Sequence, residues 1–473
     1  MKIIPIPKDT AFSDKCVEVK KTVTDIDSSL EKEEYILKVC ENATINISAG
    51  SESGIFYAKQ TIKQLEKEYG SSLPVCIIRD KPDFEYRAFM LDCARHMFPI
   101  DEIKKLIDAM AFLKLNKFHW HLTDDQGWRI ESEKYPKLNT VAAVRKHSDF
   151  GKNFEEGPYG RVYTKNELTQ IVNYCKERFI EVIPEFDIPG HTSALLAAFP
   201  ELACGNKEVE VKTHQGIFKD VICPAKEESI DTVLKIFDEI CEIFPSEYIH
   251  IGGDETPSKQ WESCPECQAL MQKLGIKDYH EYQNCFMNKV IAHLAEKGKT
   301  CIVWNDAAKG KNLDSRAVMH YWKENDKATL DFANGGGKLI LSPFSYYYTD
   351  YDYDITPLNR TVSFNPMLKG LNSKESILGL EVPIWTEYIS DNERLEKMLF
   401  PRAIAVAQTA WGGNVDYHHF LMKFNSCKDI LEEMGIQLGD VWLWKNKRTA
   451  MPFGWLKFLK RNYSSDYIKS QLK

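Results

Sequence analysis

Tyr248-Ile249-His250-Ile251-Gly252-Gly253-Asp254-Glu255 reads as a short apolar strand that stops at two glycines and delivers two adjacent acids. In a continuing strand, neighbouring side chains point to opposite faces. Asp254 and Glu255 therefore share one small site only if the backbone turns there. Gly252 and Gly253 permit that turn and let a ligand approach the main chain. Two acids at one mouth, in different surroundings, are what acid-assisted bond cleavage uses. Taken alone, the four residues fit a solvated loop equally well, so the rest of the chain must decide.

Working outward, the chain from Tyr86 onward repeats strand then helix, the signature of a parallel sheet. Eight candidate strands lie at 88–92, 117–122, 181–186, 248–251, 300–304, 317–322, 338–341 and 378–384. Between them, 101–115 is amphipathic, and Thr164-Lys165-Asn166-Glu167 is a capping box opening a helix to about residue 179. Further helices are expected at 227–244, 279–297 and 392–408. Eight such units over about 350 residues predict an α/β fold, a TIM (β/α)8 barrel with long loops. Residues 1–82 predict a separate small α+β domain. Alternation at 34–39 and 44–47 suggests a hairpin, 51–69 a helix and 75–78 a closing strand. Lys81-Pro82-Asp83 would link it to a barrel domain over 83–440, followed by a tail over 441–473.

In a TIM barrel the chemistry sits in the loops at the carboxyl ends of the strands. Those ends read, in order, Asp92…Arg95-His96, Thr123-Asp124-Asp125, Asp187…His191, Asp254-Glu255, Trp304-Asn305-Asp306, Trp322, Tyr348…Asp350 and Trp385…Glu387. Acids, an arginine, tryptophans and a tyrosine converging on one mouth suit a sugar. Indole faces stack on the apolar side of a pyranose, and Asp, Glu and Arg fork hydrogen bonds to its hydroxyls. No G-x-G-x-x-G follows the first strand, and no glycine-rich phosphate loop precedes a helix. His119 and His121 share one strand face without a third convergent ligand, and are read as core or supporting residues.

Composition narrows the field. Of 473 residues, 43% are hydrophobic and 27% charged, which is ordinary for a globular protein. A net charge of −8 argues against nucleic-acid binding, which needs a basic surface. Thirteen scattered cysteines, an odd count, suit a reducing compartment better than a disulfide framework. Cys264-Pro265-Glu266-Cys267 resembles half a zinc ribbon, but no second Cys-x-x-Cys or paired histidines follow, and no metal is assigned. The first eleven residues have no apolar core of a signal peptide, and no run of about 18 apolar residues occurs. The expectation is a cytoplasmic chain as given, or a secreted one whose signal was removed. The tail collects Lys445, Lys447, Arg448, Lys457, Lys460, Arg461, Lys469 and Lys473 around Trp442, Trp444 and Trp455, and is read as a terminal helix packed by its aromatic face.

The segments 89–96, 118–129, 184–191 and 250–255 closely resemble the β-N-acetylhexosaminidases of glycoside hydrolase family 20. That resemblance spans nearly the whole chain. It implies removal of a terminal β-linked N-acetylglucosamine or N-acetylgalactosamine, with the substrate's 2-acetamido oxygen as nucleophile. By this similarity Glu255 is the acid and then the base, and Asp254 orients the acetamido group. Arg95 resembles the residue holding O3 and O4, and Asp124 an acid supporting it. Asp187 and His191 look like partners that tune the catalytic acid. Trp304, Trp322 and Trp385 resemble aromatic walls, Tyr348 a donor to the acetamido oxygen, Asp350 a hydroxyl ligand and Glu387 a ligand of the O4/O6 end. One departure is Phe364, where some relatives carry a tryptophan; its ring can stack but has no N–H to donate. The implied partner is an oligosaccharide or glycoconjugate ending in an amino sugar, with no cofactor and no metal at the site. Two other readings stay open: a retaining glycosidase with a protein nucleophile, and a non-catalytic amino-sugar-binding protein.

Overall fold

A computed structural model describes residues 2–440; the expected tail helix at 441–473 lies outside the described residues. The N-terminal unit is a five-stranded sheet of β1 (Asp9–Glu18), β2 (Lys21–Ile26), β3 (Tyr35–Val39), β4 (Thr44–Ala49) and β5 (Ser72–Asp80), in the order β1-β5-β3-β4-β2. The expected hairpin forms, with Tyr35 opposite Ala49 and Val39 opposite Ile45. Its inward residues pack on helix α1 (Glu52–Tyr69) through Ile55, Ala58, Ile62 and Leu65. β1 and β2 were not expected. Both are exposed along almost their whole length, so they carry no apolar alternation to read.

All eight expected barrel strands are present: β6 (Tyr86–Asp92), β7 (Lys117–His121), β8 (Glu181–Glu185), β9 (Tyr248–His250), β10 (Thr300–Trp304), β11 (Val318–Tyr321), β12 (Lys338–Leu341) and β13 (Ile377–Ile384). They pair in sequence order and close where β13 meets β6, with Ile384 beside Leu91. Crossover helices α2 (Ile100–Phe112), α3 (Lys165–Lys176), α4 (Glu227–Ile243) and α5 (Tyr279–Glu296) stand where the periodicity put them. The Thr164–Glu167 capping box opens α3. The single helix expected at 392–408 is instead two, α6 (Asn392–Leu399) and α7 (Arg402–Gly412). Pro401 breaks it, because proline has no N–H and its ring clashes with the carbonyl four residues back. Among the described residues no helix is long and apolar enough to cross a membrane.

The lower barrel interior is filled by Tyr86, Ala88, Ile183, Tyr248, Ile302, Val318 and Ile340. Above them the filling is polar. His119 bonds Glu381 at 2.8 Å and Glu185 at 3.1 Å, His250 bonds Glu185 at 2.9 Å, and His121 bonds Glu185 and, at 3.0 Å, Asp124. Burial opposes charge on His119 and His121, but the carboxylates outweigh it and raise them to about 9 and about 10. The absence of a third group converging on His119 is thus corrected, since Glu185, His250 and Glu381 arrive from three other strands. The core reading of both histidines holds, since neither is exposed.

The two units are joined by buried charge. Asp80 of β5 accepts from Lys114 Nζ at 2.9 Å, Tyr35 Oη at 2.7 Å and Trp411 Nε1 at 2.9 Å. Arg87 of β6 forks onto Glu33 at 2.7 and 3.0 Å and lies over the Trp411 ring.

Candidate active site

The backbone does turn after β9. Gly252 and Gly253 have φ of 68° and 102°, and Glu255 itself sits at 45°. For a residue with a side chain that left-handed conformation is uncommon and needs support from its surroundings. Space as well as conformation demands glycine here, since a Cβ on Gly252 would fall 1.6 Å from Asp187 Oδ1. The result places Asp254 almost buried and Glu255 more open, so the pair's members have different surroundings.

Asp187 and His191 follow β8. Asp187 is buried, and its Oδ1 accepts the Gly253 N–H at 3.1 Å. Burial and the neighbouring Asp254 push its carboxyl well above the usual range. His191, also left-handed at φ 52°, sets its Nε2 3.7 Å from Asp254 and 3.9 Å from Glu255. Its Nδ1 faces Asp124 and Asp125, each at 3.2 Å. Burial opposes its protonation, but Asp124 and Asp254 prevail and raise it well above an ordinary histidine. Asp254 is itself raised to about 7, by burial first and by Glu255 against the pull of His191. Asp124 remains an anion despite burial, held by Arg95 at 2.6 Å as well as by His121 and His191.

Arg95 is fixed on every side. It donates to Gln126 at 2.9 Å and Asp92 at 3.3 Å, lies 3.9 Å from Glu387, and rests over the Trp385 ring. The aromatic residues form a cage: Tyr348 lies 6.1 Å from Trp322 and 6.4 Å from Trp385, and Trp385 lies 6.0 Å from Trp304. Trp304 is buried, stacked on His320 with its indole N–H on Glu185, so it forms the floor where the expectation was a wall. Burial, then Glu387, raises Asp350 to about 8; burial raises Glu387 too, against Arg95. Phe364 is not offered for stacking. Only 6% exposed, it packs between Tyr346 and Tyr347.

Among the buried polar atoms of this cluster, His191 Nε2, Asp254 Oδ1 and Asp350 Oδ1 have no hydrogen-bond partner. Such atoms are expensive to leave unpaired in a fold and mark a place for a polar ligand. His191, Asp254 and Glu255 lie close enough to share an ion, as do Asp124, Asp187 and His191, although Asp124 is already occupied by four donors. Sequence reasoning assigned no role to Glu185, Gln126 or Asp306. Asp306 accepts the Trp322 indole N–H at 3.1 Å and Lys323 at 2.6 Å. An acid inside the apolar strand 181–185 was the available signal for Glu185.

Residues 84–414 match the description "Glycosyl hydrolase family 20, catalytic domain", and residues 4–81 match "Glycosyl hydrolase family 20, domain 2". A β-hexosaminidase of Porphyromonas gingivalis is 37% identical over 81% of this chain, which spans about half (51%) of that protein's length. One from Akkermansia muciniphila is 34% identical over 86% of this chain and 85% of its own. The crystal structure of an exo β-N-acetylglucosaminidase from Vibrio harveyi in complex with N-acetylglucosamine superposes with a TM-score of 0.82 at 28% identity, covering 94% of this chain and 79% of that one. Small sheet, barrel and the strand ends that build the site fall within these matches, and the chain belongs to glycosyl hydrolase family 20.

Proposed function

We propose that this chain is an exo-acting β-N-acetylhexosaminidase that removes a terminal, non-reducing β-linked N-acetylglucosamine or N-acetylgalactosamine with retention. The observation that carries it is the left-handed turn that sets Asp254 and Glu255 on one mouth, with His191 Nε2 within 4 Å of both. In the first step the acetamido oxygen attacks the anomeric carbon as the glycosidic C–O bond breaks. Glu255 gives its proton to the departing oxygen. Asp254 accepts the acetamido N–H, aims the carbonyl oxygen and, as an anion, stabilises the oxazolinium cation. In the second step Glu255 takes a proton from water, water adds to the anomeric carbon, and the ring reopens to the acetamide. Adjacent acids suit this chemistry because each addresses a different atom of one substrate.

The other groups orient the sugar. Arg95, fixed by Asp92, Asp124 and Gln126, presents its guanidinium to O3 and O4, and Asp350 and Glu387 take further hydroxyls. Trp322, Tyr348 and Trp385 close around the acetamido methyl above Trp304, and Tyr348 donates to the carbonyl oxygen. The ligand of the Vibrio harveyi structure supports this substrate class.

A panel of aryl β-glycosides tests the reading. Turnover of the N-acetylglucosaminide and none of the glucoside is expected, because glucose lacks the nucleophile. Equal rates, or a covalent sugar trapped on an Asp or Glu, would assign the chemistry to a protein nucleophile. Binding without turnover of any β-linked amino sugar would leave a lectin-like protein. Glu255→Gln should lose about 10²–10⁴-fold in kcat toward a poor leaving group.

A further inference from the structure

Four cysteines from the loops after β8 and β9 come together. The thiols of Cys204, Cys223, Cys264 and Cys267 all lie within 4.8 Å of one another. Two of the separations are 3.5 Å, Cys223 to Cys267, and 3.8 Å, Cys204 to Cys267. A tetrahedral ion bound by four thiolates at about 2.3 Å sets its sulfurs roughly 3.8 Å apart. A disulfide would bring one pair to about 2.05 Å. Half of a ribbon was visible at 264–267; the fold supplies the other half from two isolated cysteines.

We propose that Cys204, Cys223, Cys264 and Cys267 form a structural tetrathiolate zinc site that ties the loop after β8 to the insertion after β9. Each part of the surroundings fits. Cys264 immediately precedes, and Cys267 lies in the first turn of, the ten-residue helix Pro265–Leu274, where main-chain N–H groups favour thiolates. Cys223 and Cys267 are fully buried among Val221, Trp261, Met271 and Tyr282, a dry shell rather than the open surface of a reactive dithiol. Zinc with four thiolates carries two net negative charges. The cavity of about 340 Å³ that opens on Cys204 and Cys264 is lined by Lys207, Lys219 and Lys259, which offset that charge and leave an entry path. Thiols still protonated release their protons on binding.

The site also has a mechanical consequence. Cys223 follows Ile222, whose N–H bonds the Pro189 carbonyl at 3.1 Å and whose carbonyl accepts the Trp261 indole at 2.9 Å. Pro189 is two residues from His191, so the ion would clamp the loop that carries His191 to the segment that follows Glu255.

Metal analysis of the untagged full chain purified under reducing conditions tests this. About one zinc per chain is expected, lost in Cys264→Ser/Cys267→Ser. If that variant fails to fold, two measurements on the native chain decide instead. Titration with a mercurial should release zinc as four thiols react. Chain produced with cobalt in place of zinc should show tetrahedral thiolate charge-transfer absorption. The proposal is overturned by chain without stoichiometric metal whose thiols are all free, by an intact mass lacking two or four hydrogens, or by zinc that survives in the variant.

Discussion

Gly252 and Asp187 occupy one another's space: a Cβ on the glycine would stand 1.6 Å from the oxygen that accepts the Gly253 N–H. Asp187 is buried and cannot retreat into solvent. Gly252→Ala should therefore cost about 1–3 kcal/mol of stability. It should also lower kcat/KM by about 10²-fold, because reacting groups misplaced by an ångström lose that much. Thermal unfolding beside steady-state kinetics checks both, and wild-type kinetics in this variant would refute the coupling.

Asp254 must be ionised for its proposed role, yet burial first, and Glu255 second, raise it to about 7 against His191. In free enzyme the neutral form grows as pH falls through that value. The expected profile is a kcat/KM that declines on the acid side of about pH 7. Asp254→Asn should lose this limb and cut kcat by about 10²–10³-fold. An identical limb in the variant would assign the titration elsewhere.

Arg95→Lys keeps the charge and loses the fork that meets Asp92, Asp124 and Gln126. We expect KM to rise and kcat/KM to fall by about 10–100-fold, roughly 1.4–2.7 kcal/mol. An unchanged KM would show that this guanidinium does not hold the sugar.

Asp350 is raised to about 8 by burial and by Glu387, so the fold favours its protonated form. That contribution is complete below the ordinary carboxyl range and is lost as pH rises through about 8. Asp350→Asn removes the loss, so its gain in Tm should be larger at about pH 9 than at about pH 5. Equal gains at both would exclude ionisation as the cause.

Lys114 is fully buried against Asp80, the Tyr35 hydroxyl and the Trp411 ring. Lys114→Met leaves the Asp80 carboxylate with three neutral donors, the Tyr35 hydroxyl, the Trp411 indole and the Lys8 main-chain N–H, and no cation. A loss of about 3–5 kcal/mol is expected from denaturant unfolding. A loss under about 1 kcal/mol would mean that the neutral donors of Tyr35, Trp411 and Lys8 satisfy Asp80 without a cation.

The barrel strands were legible because, buried on both faces, they read as compact apolar runs between helical periods. The acid pair was legible because glycines mark a backbone turn. Other parts were not. β1 and β2 are exposed and held mainly by main-chain bonds, which leave no trace in side-chain pattern. The break at Pro401 leaves no mark in the pattern because the apolar spacing runs on through it. Trp304 looked like a wall because strand-end position says nothing of depth. The four cysteines were invisible as a set because two of them are single residues, Cys204 and Cys223, 63 and 44 positions before Cys267. Closure into a barrel, not local pattern, brings them together.

The charges joining the two units bear on how modular this architecture is. Resemblance divides the chain near residue 82, yet Arg87 and Lys114 on the barrel side find their counter-ions, Glu33 and Asp80, on the other. A barrel expressed alone would leave two cations at its base without their counter-ions and expose the ring of Trp411. Swapping the small sheet between relatives therefore means transplanting this charge seam with it, or the graft inherits an unbalanced interior.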